Sequence, residues 1–242
     1  MRYQVVKLLF LVLLSIGQSA YAVESLSVQQ IDPQAKQKAQ IAFDRANIYM
    51  KQGKNKEALE YLKTSYAYEA ADGTASNLGY VYEELKDYNN AVKWYKTAIE
   101  KYNDKEAMYN LALLYKNIFK DYPKAIKWCK KTFEKGNNSG ANSLGLLYEN
   151  KLNDIPTAIK WYKKAIVKGH IEARKNLGLL YHKQKDNLYS AVYMLGMIGH
   201  PYTKKRVLGL LRDDWKIDEP TLKKAYELQQ TLVPTPYRGG VD

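Results

Sequence analysis

An internal repeat constrains this sequence more than any other feature. Five tyrosines follow one another at intervals of 33 residues: Tyr49, Tyr82, Tyr115, Tyr148 and Tyr181. Regular recurrence over four intervals is typical of a solenoid, in which each unit is a helix pair that buries its apolar face against its neighbours. A parallel series of alanines, at spacings of 33, 34, 33 and 33, supports the same period: Ala58, Ala91, Ala125, Ala158 and Ala191.

One repeat shows the local signals clearly. Ala141, Leu144, Gly145 and Tyr148 lie on one face of a predicted first helix. Asp154 is placed as the N-cap of a second helix, with a proline two residues later in the first turn, where a missing N–H costs little. The aligned N-cap positions in the other repeats hold Asp87, Asp121 and Asn187.

Small and aromatic residues also recur at fixed positions. The first helices carry a small residue that permits close packing: Ala46, Gly79, Ala112, Gly145 and Gly178. The second helices carry a bulky residue that we expect to pack between units: Tyr61, Trp94, Trp128, Trp161 and Met194. Because every local signal agrees, the sequence predicts an all-α, right-handed α-solenoid superhelix of antiparallel helix pairs.

These residues resemble a known family. Leu78-Gly79-x-x-Tyr82, followed by Ala91 and Tyr95, has the spacing of a tetratricopeptide repeat. The Lys-Trp-Tyr triplet at 160–162 and the terminal glycines of the units look more specifically like Sel-like repeats, although the loops here are shorter than is usual for that class. The resemblance covers about residues 39–199 and implies that the first helices line a concave groove for a protein partner.

The ends differ from the repeats. The predicted organisation is a secretory signal peptide over 1–22, a flexible leader over 23–31, five repeats over 32–199, a degenerate sixth repeat over 200–233 that caps the solenoid, and a tail over 234–242.

The N-terminal pattern predicts export. Arg2 and Lys7 flank the start of an apolar run over 8–17, and Ala20 and Ala22 follow in an A-x-A arrangement. We expect cleavage after Ala22 and a periplasmic or secreted protein; an uncleaved anchor is the alternative. The formal net charge is +13, mostly from lysine, which lacks the planar fork suited to phosphates and base edges. Together with export, this argues against nucleic-acid binding.

The sequence holds no recognisable catalytic constellation. His170, His182 and His200 are isolated from one another and from cysteine, so neither a metal site nor a cofactor site is predicted. His182 would be the best candidate if the chain were an enzyme. Cys129 takes the position of an aligned tyrosine, which predicts a small buried residue and, as the only cysteine, allows no intrachain disulfide. We therefore expect a non-catalytic protein.

Lysines recur on the second helices and predict a basic ridge. The ridge is either a solvated face or a surface that contacts an acidic protein or an anionic membrane. The aligned lysines are Lys93, Lys127 and Lys160; Lys96, Lys130 and Lys163; and Lys101, Lys135 and Lys168.

The partner-binding groove implied by the resemblance is polar and mixed in charge, which suits a protein better than a small metabolite. Its predicted residues are Asn47, Tyr80, Glu83, Glu84, Tyr109, Lys116, Asn117, Asn142, Glu149, Asn150, Lys175, His182 and Lys183. The predicted function is an exported, periplasmic scaffold, with an immunity protein against a toxin delivered into the periplasm as the alternative and a structural role in the envelope as a third class.

The predicted cleavage can be measured directly. When the full chain is expressed in a bacterial host, the intact mass of the exported protein should correspond to a chain that begins at Val23. Replacing Ala20 and Ala22 by glutamate should block cleavage and retain the longer chain. An exported wild-type protein that keeps residues 1–22 would contradict the prediction and favour the uncleaved anchor.

Overall fold

The structure, a computed structural model, describes residues 33–68, 73–199, 202–233 and 236–241, and most of these residues are helical. In these ranges the only β-type pairing is a bridge between Ile198 and Tyr202. The helices are α1 (Pro33–Lys51), α2 (Asn55–Ala67), α3 (Thr74–Glu84), α4 (Tyr88–Tyr102), α5 (Lys105–Leu114), α6 (Tyr122–Glu134), α7 (Ser139–Asn150), α8 (Ile155–Val167), α9 (Ile171–Lys183), α10 (Asn187–Leu195), α11 (Lys204–Gly209) and α12 (Glu219–Leu232). The predicted all-α architecture of helix pairs is confirmed.

The chain divides into two compact units, with the boundary after Thr74. In the first unit, α1 and α2 form a pair in which Tyr49 stacks on Tyr61 with 5.4 Å between ring centroids. In the second unit, each helix from α4 to α10 packs against the next one along the chain, and α7 also contacts α9. Repetition of one packing mode therefore builds this unit.

Aspartate caps begin the second helix of successive pairs, as the sequence predicts. The side chains of Asp87, Asp121 and Asp154 each accept a hydrogen bond from the backbone N–H three residues later. The residue before each cap has a positive φ, 62° at Lys86 and 55° at Lys120, which turns the chain back on itself.

The expected N-cap in the fifth pair is wrong by one residue. Asp186, not Asn187, accepts the backbone N–H of Tyr189. In the turn after Tyr181 the cap is the fifth residue, and the Asp186 N–H donates to the Tyr181 carbonyl. In the turn after Tyr148 the cap is the sixth residue. Ser190, rather than Ala191, consequently lies four residues after the cap.

The same shift moves the bulky residue of α10. Met194 lies eight residues after its cap, as Tyr162 does in α8, so it occupies the position of Tyr162 and not that of Trp161. In the third pair the connection between the two helices is also the longer one, and a π-helical segment over Tyr115–Phe119 accommodates it. Such single turns insert a residue into a helix without breaking it.

Size complementarity holds each pair together. An added Cβ at Gly79 would lie 2.5 Å from the Tyr95 ring, and one at Gly145 would overlap the ring of Tyr162. Where the second helix carries the smaller Cys129, the first helix carries alanine, at position 112, in the same buried cluster. The predicted packing role of the aromatic residues is confirmed for Tyr148 and Trp161, which pack against this cluster.

The C-terminal segment packs against the last helix. Tyr237 exchanges two hydrogen bonds with the buried Gln229 side chain, at 3.1 and 3.2 Å. Val241 is only 4 % exposed, and its carbonyl accepts a hydrogen bond from Arg212. Residues 236–241 of the expected tail therefore pack against α12. Their contacts satisfy the buried amide of Gln229 and bury the side chain of Val241.

The predicted signal peptide over 1–22, the predicted leader over 23–31 and His200 lie outside the described residues. Among the helices that are described, none has both the length and the hydropathy needed to cross a membrane.

The close approach of the paired helices gives a test. Gly145→Ala should lower the free energy of unfolding by about 1–3 kcal/mol, because the new methyl group displaces the buried Tyr162 ring. Gly209→Ala is the matched control: it is also helical, but its Cβ would meet Asp213 at an ordinary 3.6 Å, so it should be neutral or stabilise by up to about 1 kcal/mol. Urea unfolding followed by circular dichroism measures both, and equal effects would contradict the packing argument.

Candidate partner-binding surface

The first helices of the second unit are joined to one another by polar side chains. The Ser143 hydroxyl donates to the hydroxyl of Tyr109 at 3.3 Å, which links α7 to α5. The amide of Asn176 donates to Asn142 at 2.9 Å, which links α9 to α7. Each bond joins residues 34 positions apart, so the repeat itself brings the partners together. We call the face that carries these bonds the first-helix surface.

A carboxylate connects this surface to the core. Glu149 accepts the Tyr162 hydroxyl at 2.8 Å and the Lys183 ammonium at 2.7 Å, and its side chain is only 9 % exposed. Burial raises the pKa of Tyr162, and the carboxylate beside it adds to the rise, so the hydroxyl remains a donor. Glu149 and Lys183 therefore hold α7 and α9 in register as well as lining the predicted site.

The same arrangement occurs two repeats earlier. Glu83 accepts the Tyr95 hydroxyl at 2.9 Å. Burial raises the pKa of Glu83, while the hydrogen bond from Tyr95 opposes this rise. The sequence carries a signal for these pairs: in the second and fourth repeats a glutamate directly follows the aligned tyrosine, and a tyrosine lies four residues after the aligned alanine of the second helix.

The third repeat replaces both members of the pair. Lys116 stands where the second and fourth repeats have glutamate, and Cys129 stands where they have tyrosine. Burial lowers the pKa of Lys116 and raises the pKa of Cys129 to about 12. The thiol is therefore neutral near pH 7 and buried, as expected from the sequence.

Of the remaining predicted residues, four are exposed and one is half-buried. Tyr80, Glu84, Asn117 and Asn150 are exposed, and Tyr80 is 41 % accessible. Lys175 is half-buried, and its ammonium nitrogen lies 3.9 Å from a carboxylate oxygen of Glu172.

Two predicted residues stand apart from these groups. His182 stacks on Trp215 with 4.0 Å between ring centroids. Asn47 is half-buried on α1, in the N-terminal unit. The predicted residues from Tyr80 to Lys183 therefore lie in one unit, but several of them form hydrogen bonds within the protein.

Two clefts border the first helices. A cleft of 390 Å³ lies beside α9, and it is lined by Lys175, Leu179, Met194, Tyr202, Arg206, Val207, Leu210 and Asp214. A 590 Å³ cleft lies at the N-terminal ends of α5, α7 and α9 and includes His170. The Nδ1 atom of His170 accepts the Ala173 N–H at 3.3 Å and so caps α9, and burial lowers the pKa of this imidazole. Among the described residues, no cluster of three His, Cys, Asp or Glu side chains could hold a metal ion.

The bond between Tyr162 and Glu149 can be tested with a double-mutant cycle. Glu149→Ala leaves the Tyr162 hydroxyl without its acceptor, whereas Tyr162→Phe removes the hydroxyl itself, so we expect a coupling free energy of about 1 kcal/mol in urea unfolding. The control cycle combines Glu149→Ala with Tyr95→Phe, whose hydroxyl bonds Glu83 instead, and should be additive within about 0.5 kcal/mol. Equal coupling in the two cycles would show that the bond is not specific.

Comparison with known proteins agrees with this architecture. Residues 43–106 match the family model of the tetratricopeptide repeat. PilF from Pseudomonas aeruginosa is similar over 83 % of this chain and 94 % of its own, with 15 % identity and a TM-score of 0.59. A Sel1 repeat protein from Oxalobacter formigenes is similar over 89 % of this chain and 98 % of its own, with 20 % identity and a TM-score of 0.54.

A third solved structure is a tetratricopeptide repeat protein from Parabacteroides merdae, with 18 % identity, a TM-score of 0.55, and coverage of 81 % of this chain and 72 % of that one. At these identities the similarity concerns the fold. Among curated proteins, no match to the sequence is found. Residues 43–106 are therefore similar to a tetratricopeptide repeat, and the stacked helix pairs share the fold of solved tetratricopeptide and Sel1 repeat proteins.

Proposed function

We propose that the chain is an exported, periplasmic scaffold that binds another protein on its first-helix surface. Tetratricopeptide-like repeats form extended surfaces suited to protein partners. The basic, apolar and A-x-A segments within residues 1–22 support export, since this order is typical of a secretory signal peptide.

The observation that carries the proposal is the set of bonds between neighbouring first helices. The contacts of Ser143 with Tyr109, Asn176 with Asn142, and Lys183 with Glu149 fix the surface before any partner arrives. A surface that is already ordered loses less conformational entropy on binding.

Exposed side chains between these bonds are available for contact. Tyr80 is 41 % exposed and Leu179 is 36 % exposed, and the amide groups of Asn117 and Asn150 are also accessible. Tyrosine offers a large contact area with a polar tip, and the amides add hydrogen-bonding capacity. This mixture favours a protein partner over a small metabolite, which would need a more enclosed site.

Site-specific photo-crosslinking tests the surface. A photoreactive phenylalanine analogue at position 80 or 150 should give a covalent adduct with one protein in the periplasm, because both positions are exposed on the first-helix surface. The same analogue at position 96, exposed on the second helix α4, is the control and should give none. Adducts of equal yield from all three positions, or from position 96 alone, would contradict the proposal.

The nature of the partner separates two of the roles that the sequence leaves open, the envelope adaptor and the immunity protein. An envelope adaptor should be cross-linked in cells grown in isolation. An immunity protein should be cross-linked to a toxin during contact with sister cells, and deletion of its gene should then be lethal. Normal growth of the deletion strain in such contact would exclude the immunity role.

A further inference from the structure

The second helices α4, α6 and α8 carry the aligned lysines on exposed positions. Lys93, Lys96, Lys160, Lys163 and Lys168 are all exposed, and none of them forms an ion pair within the described residues. Such a row by itself could serve only to keep a surface solvated. What distinguishes α8 is an apolar cleft between its lysines.

This cleft, here called the lysine-rimmed slot, has a volume of 450 Å³ and lies between α6 and α8. Its lining residues are Phe133, Lys160, Lys163, Lys164, Val167 and Lys168. The α8 residues are spaced along one helical face, so their aliphatic stems line the slot while their ammonium groups reach its rim. Val167 is 69 % exposed, and Phe133 makes an edge-to-face contact with Trp161 at 6.0 Å.

The aligned positions show that the slot belongs to one repeat. Val167 corresponds to Glu100 in α4 and Glu134 in α6, so α8 has an apolar residue where the other two helices have an acid. Lys164 replaces Thr97 of α4 but aligns with Lys131 of α6, and the ammonium groups of Lys131 and Lys164 lie 4.9 and 4.2 Å from the centroids of the Trp128 and Trp161 rings. The exchange of a glutamate for an exposed valine makes this part of α8 both more apolar and more positive than the aligned parts of α4 and α6.

The charge around the slot is unbalanced. No acidic residue occurs in α8, and Glu134 is the one acidic residue of α6. Four ammonium groups therefore surround an apolar depression with little compensation, and the local potential is positive. The complementary ligand carries several carboxylates around a bulky apolar group.

We propose that the lysine-rimmed slot docks an acidic protein segment and that one large apolar side chain of this segment enters between Phe133 and Val167. The shallow depression offers an apolar floor that can contact an apolar side chain, whereas lipid headgroups would contact only the lysine ammonium groups at its rim. The slot lies on second helices, so this contact is separate from the one proposed for the first-helix surface and does not depend on it.

Fluorescence anisotropy with a defined probe tests the proposal. The probe is a short fluorescein-labelled polyglutamate peptide with one central phenylalanine, and the comparison peptide has alanine in its place. The full chain should bind the phenylalanine peptide about tenfold more tightly, because burial of that side chain contributes to the affinity. Val167→Glu, which copies the residue of α4 and α6, should weaken binding of the phenylalanine peptide about tenfold and leave the exposed helix folded.

A matched pair of lysine variants separates the slot from general charge. K160Q/K163Q should weaken binding about tenfold, whereas K93Q/K96Q removes the same charge from the aligned positions of α4 and should change affinity less than about twofold. Equal weakening by both variants, equal affinity for the two peptides, or no binding to either peptide would overturn the proposal. Binding to phosphatidylglycerol vesicles without binding to the peptide would assign the lysines to a membrane surface and would overturn it as well.

Discussion

Close packing of a small residue against a large one is the contact on which the rest of the second unit depends. Gly79 admits the ring of Tyr95, and Gly145 admits the ring of Tyr162, at separations that no Cβ would allow. The third pair instead combines Ala112 with the smaller Cys129 in one buried cluster. Protein interiors tolerate neither voids nor overlap. The two facing side chains of a pair must therefore have a suitable combined volume, although either residue can change in size if the other compensates.

The same tyrosines connect the core to the surface. The Tyr162 hydroxyl reaches Glu149, which in turn binds Lys183 of the next repeat. A buried hydroxyl needs an acceptor, and a nearly buried carboxylate needs donors, so the packing of one pair determines where the next first helix lies. The first-helix surface is therefore rigid in its bonded parts and free for contact at Tyr80, Asn117 and Asn150.

The two faces of the repeats differ in their chemistry. The first helices present amides, tyrosine and charges of both signs, whereas α8 presents lysines around an apolar slot. Both depend on the repeat, since it places equivalent residues side by side. Individual departures from the repeat give each face its specific features: Cys129 and Lys116 in the third pair, and Val167 in the fourth.

Much of this could be predicted because its causes are local. The helix pairs, the caps at Asp87, Asp121 and Asp154, and the burial of Cys129 follow from periodicity and from hydrogen bonds that span a few residues. The cap at Asp186 was missed because Ala191 continues the alanine series and points to Asn187, four residues before it, whereas the turn after Tyr181 is as short as the turn after Tyr82.

The character of the candidate binding surface was decided by tertiary structure. Glu83, Glu149 and Tyr109 occupy positions that look like free groove residues, yet they bond to residues of another helix. The slot beside Val167 likewise exists only because α6 and α8 lie together. The sequence by itself determined which residues recur and which helices they form. Which of these residues are exposed and which are hydrogen-bonded depends on contacts between residues far apart in the chain, so only the tertiary structure decided it.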